Sequence, residues 1–157
     1  MNTTTSSTRS SSGQALYEGL ENLPSSKRFT SQQLEAIYAL GYSHLAQAQY
    51  AQALPIFAFL SQYGPTSRHY LYGFALSLQM LGRLDEAISM YSLCSMLFPE
   101  SLEAIQRIAQ CQVSDGRRED ACETLTNLAE YARLCGNTDI KNKAHGMLNL
   151  ISARDSA

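Results

Sequence analysis

Residues 81–88, Leu81-Gly82-Arg83-Leu84-Asp85-Glu86-Ala87-Ile88, decide how this chain is read. Thirty-four residues on, 115–122 repeat the layout as Asp115-Gly116-Arg117-Arg118-Glu119-Asp120-Ala121-Cys122. In both copies a glycine allows a turn and two acids open a helix, where negative charge meets the positive end of the helix dipole. An alanine then lets a partner helix come close. The same beat joins Ala53 to Ala87 and Ala121, Phe57 to Tyr91 and Leu125, Leu60 to Cys94 and Leu128, and Pro65 to Pro99.

A period of thirty-four residues with small side chains facing across a short turn is the mark of stacked helical hairpins of the tetratricopeptide type. The expected fold is all-α: a right-handed superhelix of three repeats at about 34–67, 68–101 and 102–135, within one domain at 14–154. Thr30 and Gln33 form a capping box for a helix over 31–48. Its partner spans 51–63 and stops at Gly64-Pro65. Pro55 is tolerable there only if that helix begins near Ala53, and otherwise predicts a kink. Further helices are expected at 68–81, 85–97, 102–114 and 119–134. Gly41 with Ala53, Ala75 with Ala87, and Ala109 with Ala121 are the expected close approaches. A capping helix at 139–153 covers the apolar face that the last repeat leaves open. Residues 1–13, nine of them Ser or Thr, read as a disordered tail and not a signal peptide. A short helix over 14–23 carries Leu16, Leu20 and Leu23. It must cap the first hairpin or pack on a second copy of the chain.

At 157 residues with a formal net charge of −2, the chain has no general field for nucleic acid or anionic lipid. No segment has the apolar length of a membrane span. The four cysteines, at 94, 111, 122 and 135, are spaced too widely for a thiolate metal knuckle and read as buried structural thiols in a reducing cytosol.

The charges are unevenly distributed. Between Phe29 and Gly82 the only acids or strong bases are Glu35 and Arg68, and that span holds ten of the fourteen aromatic residues. The first helix of each repeat lines the inner curve of such a stack. Its inward stripe is Glu35, Tyr38, Ala39, Tyr42, Leu45 and Ala46 in repeat one. In repeat two it is His69, Tyr72, Gly73, Leu76, Gln79 and Met80, and in repeat three Glu103, Gln106, Arg107, Gln110 and Val113. Tyr38, Tyr42, Leu45, Tyr72, Leu76 and Gln79 therefore form an expected peptide-binding groove, nearly free of charge. Tyrosine suits it, with large apolar area, little rotamer entropy to lose and a hydroxyl for the ligand backbone. The competing reading is that some of these rings only pack between repeats.

No catalytic triad, phosphate loop or dinucleotide fingerprint is legible, and the three histidines are scattered, so no enzyme, cofactor or metal site is expected. His44 reads as a partly buried, hydrogen-bonded core residue.

With its leading helix, three repeats, capping helix, the 81–88 text and Leu71-Tyr72-Gly73-Phe74-Ala75, the chain resembles the tetratricopeptide chaperones of type III secretion translocators (the class II, LcrH/SycD-type chaperones) over about 14–150. The resemblance implies a bacterial cytoplasmic chaperone that binds hydrophobic translocators before export, as a short extended segment in the concave groove. By that likeness Tyr38, Tyr42, Leu45, Tyr72 and Leu76 would be contact residues, with Leu60 and Phe74 supporting the wall. It also implies a homodimer through Leu16, Leu20 and Leu23. The alternatives are a general adaptor for C-terminal carboxylates, for which only Arg107 is suitably placed, and a self-assembling scaffold.

Overall fold

The computed structural model describes residues 10–156, so most of the Ser/Thr-rich tail lies outside the described residues. Eight α-helices follow one another: α1 (Ser11–Glu21), α2 (Ser31–Ala46), α3 (Tyr50–Tyr63), α4 (Arg68–Met80), α5 (Leu84–Leu97), α6 (Glu103–Ser114), α7 (Arg118–Leu134) and α8 (Thr138–Asp155). From α2 onward each helix packs on the next. No strand occurs among the described residues.

The capping box at α2 is complete: Thr30 Oγ1 accepts from the Gln33 amide at 3.2 Å, and the Thr30 amide donates to Gln33 Oε1 at 2.9 Å. The turn between the two helices of each hairpin is built the same way three times. The amides of Gln49, Arg83 and Arg117 donate to the carbonyls of His44, Leu78 and Gln112 at 2.9, 2.9 and 2.8 Å. These are the six-to-one bonds of a Schellman motif, which needs a left-handed residue just before the donor. Gly82 and Gly116 supply it at φ 76° and 77°, but in repeat one the residue is Ala48, at φ 55°. Asn137 to Ala132, with Gly136 at φ 74°, makes a fourth such turn before α8.

Ala53, Ala75, Ala87, Ala109 and Ala121 are all fully buried, as the close approaches require. A Cβ on Gly41 would stand 2.9 Å from Ile56 Cγ2 and 3.0 Å from a Phe57 ring carbon, and one on Gly73 would overlap the Phe57 ring itself. Helix α3 begins at Tyr50 and runs through Pro55, which lies on an exposed side. The missing proline N–H leaves the carbonyl four residues back to solvent there.

The leading helix differs from expectation. It starts at Ser11, three residues early, because Ser10 caps it by accepting from the Gly13 amide at 3.2 Å. It docks on α5, in repeat two, and not on the first hairpin. Leu16, Tyr17 and Leu20 pack against the central core, and Tyr17 meets Phe98 edge-on at 6.3 Å. Gly13 is buried with the Met96 carbonyl 2.6 Å from where a Cβ would be. The 3-10 turn at Pro24–Lys27 lies against α3 instead.

The core is three clusters along the stack. Leu34, Ala53, Phe57, Leu60 and Tyr70 form the first; a central one includes Leu71, Leu78, Tyr91, Cys94 and Leu97; the last includes Leu125, Leu128, Ala132, Ile140 and Ile151.

Candidate peptide-binding groove

Residues three and four apart on a helix share a face. On α2 that spacing aligns Tyr38, Tyr42 and Leu45; on α4 it aligns His69, Tyr72 and Leu76; on α6 it aligns Glu103, Arg107 and Gln110. All nine line one open cavity of about 580 Å³, joined by Arg68, Gly73, Ser101, Gln106 and Lys143. Five of the six expected groove residues are thereby brought together. Gln79 is not among the lining; its Oε1 accepts from the Tyr91 hydroxyl at 2.8 Å and is spent inside the fold. Val113 belongs to the C-terminal cluster.

Tyr38 organises the N-terminal wall. Its ring lies 6.1 Å from Tyr42, 6.0 Å edge-on to Phe57, 6.2 Å from His69 and 5.7 Å from Tyr70. Burial, and then the nearby Glu35 and Tyr42, raises the Tyr38 phenol above its ordinary pKa, so it stays a neutral donor. Tyr42 is 58% exposed and open to a ligand. Tyr70, absent from the expected stripe, is buried beneath this wall. Tyr72 sets its ring edge-on to the buried Tyr91 at 5.4 Å and accepts a hydrogen bond from Arg107 Nε at 3.1 Å. Leu60 is fully buried and Phe74 half-buried, both in the core behind the wall.

The groove is not free of charge. Arg68, Glu103, Arg107 and Lys143 line it, so an aromatic wall from α2 and α4 faces a polar one from α6 and α8. Lys143 comes from the capping helix, which the repeat pattern does not place on the inner curve.

His44 Nδ1 is 2.7 Å from Gln49 Oε1 across the first turn. Burial pushes the Cys94 and Cys111 thiols up to about 11, whereas Cys122 is half-buried and Cys135 exposed, so only two of the four thiols are buried. Among the described residues no group of three or more His, Cys, Asp or Glu could hold a metal ion, and no helix is long and apolar enough to cross a membrane.

A tetratricopeptide-repeat family model matches residues 69–100. The uncharacterized protein YgeG of Escherichia coli K12 is 26% identical over 139 residues, covering 88% of this chain and 83% of YgeG. Among solved structures, the Yersinia enterocolitica type III secretion chaperone SycD, in complex with a peptide of the translocator YopD, superimposes with a TM-score of 0.71 at 20% identity. The match covers 82% of this chain and 99% of that one. PcrH of Pseudomonas aeruginosa, in complex with the chaperone binding region of PopD, gives a TM-score of 0.72 at 22% identity over 82% of this chain and 97% of PcrH. The chain thus has an all-α tetratricopeptide-repeat fold, the fold seen in the SycD and PcrH structures.

Proposed function

We propose that this chain is a non-enzymatic secretion chaperone that holds a hydrophobic type III translocator in the bacterial cytoplasm. It grips a short extended segment in the groove and keeps the client soluble until export. The observation that carries the reading is the convergence of Tyr38, Tyr42, Leu45, Tyr72 and Leu76, from two helices, on one open cavity. Rigid amphipathic rings bind apolar side chains at small entropic cost and leave hydroxyls for a peptide backbone. The likeness to two chaperones solved with translocator segments supports the same use of the cavity.

The test is a titration of labelled N-terminal segments of hydrophobic translocators from the same bacterium. Losing an aromatic anchor costs about 1–2 kcal/mol, so Tyr42→Ala with Tyr72→Ala should weaken binding roughly tenfold or more. Helicity by circular dichroism should be retained. Equal affinity in the double variant removes the groove from the account.

A homodimer is part of the proposal, as one SycD structure is described as an alternative dimer. Leu16 and Leu20 face this chain's own core, which leaves Leu23, 42% exposed, as the large apolar residue at the end of α1 for a second copy.

A further inference from the structure

Arg107 is a half-buried cation with neutral partners. Nε donates to the Tyr72 hydroxyl at 3.1 Å and Nη1 to Gln110 Oε1 at 3.3 Å, while a guanidinium carries five N–H donors. Among the described residues no carboxylate pairs with it. Glu103, one turn earlier on α6, acts electrostatically on Lys143, whose ammonium is 2.7 Å from Asp139. The groove lining as a whole holds three strong bases, Arg68, Arg107 and Lys143, against one acid, Glu103. With Asp139, which pairs with Lys143, counted as well, the bases still outnumber the acids three to two in a chain of net charge −2. A charge withdrawn from water is costly until it is paired, and a guanidinium is shaped to take a carboxylate through two parallel bonds.

We infer that the client segment is anchored by a carboxylate that docks on Arg107, beside the apolar side chains held by the tyrosine wall. The inference rests on the proposed peptide-holding role and adds a specificity element to it. The Tyr72–Arg107 bond couples the two recognition surfaces: the ring that supplies apolar area also orients the guanidinium.

The probe is a set of fluorescein-labelled ten-residue peptides of Ala, Leu and Pro, carrying a single Glu at each position in turn. Each is paired with its Gln twin and made with either an amidated or a free C-terminus. Polarization titrations against the full chain should give at least one Glu peptide that binds about tenfold tighter than its twin. Arg107→Gln should abolish that advantage, so that each Glu peptide binds no tighter than its own Gln twin whatever the absolute affinity, and Arg107→Lys should keep part of it. Raising the salt to about 0.5 M should shrink the advantage, a readout that needs no variant. A gain confined to the free C-terminus supports the inference with a terminal carboxylate as the anchor. Equal binding of Glu and Gln peptides, all weakened by Tyr42→Ala, overturns the acidic anchor and leaves the groove standing. Failure of every peptide to bind overturns both.

Discussion

Ala48 takes the left-handed position that Gly82 and Gly116 hold in the next two repeats, at φ 55° against 76° and 77°. A side chain there meets its own carbonyl, at a cost of about 1 kcal/mol, which glycine avoids. The Schellman bonds on either side of Ala48, 3.0 Å to Leu45 and 2.9 Å from Gln49 to His44, hold it in place. Ala48→Gly should therefore stabilise the protein by roughly 0.5–1 kcal/mol and raise Tm by about 1–4 °C in a thermal melt followed at 222 nm. A lower Tm would mean that the turn has no stored strain. The thirty-four-residue beat reaches this position, but alanine hid it, because only glycine advertises a positive φ in sequence. Tyr70 was hidden for the opposite reason. Its counterpart 34 residues later is Ala104, so no recurring bulky residue marked it as the floor beneath Tyr38.

Helix α1, at eleven residues, is too short to persist alone in water, and its fixity comes from docking. Leu16, Tyr17 and Leu20 supply that docking against the central cluster, while Leu23 points away. The two faces make separable predictions. Leu16→Ala with Leu20→Ala should release α1 and speed tryptic cleavage at the exposed Lys27-Arg28 several-fold, with the sedimentation mass unchanged. Leu23→Asp should leave cleavage slow and lower the mass of any dimer. If the first pair alone halves the mass, those leucines belong to an intermolecular contact. The amphipathic spacing made α1 legible as a helix with one apolar face, and the repeats made α2 to α7 legible almost to the residue. What covers that apolar face was not legible, because docking on α5 depends on Gly13 clearing the Met96 carbonyl and on Phe98 receiving Tyr17, contacts about eighty residues apart. The groove divided along the same line. Its tyrosine wall follows from helical spacing within a repeat, whereas Lys143 enters from α8, outside the period.

Across the whole molecule, the core is three clusters in series, and from α2 onward helices touch mainly their immediate neighbours. Stability in such a stack is close to a sum of local terms, so damage at one end need not reach the other. Phe57 tests this. It is fully buried in the first cluster, fits against Gly41 and Gly73, and supports Tyr38 edge-on. Phe57→Ala should remove about 3–5 kcal/mol of local packing. In native-state hydrogen exchange followed by mass spectrometry, amides of α2 and α3 should lose protection first, and those of α7 and α8 should exchange as in the wild type. Uniform loss along the chain would instead mark a single cooperative unit. The local outcome also bears on function, because the loosened element carries Tyr38 and Tyr42. Peptide affinity in Phe57→Ala should then fall even though Phe57 does not line the groove, since part of the binding energy must first reorder the wall.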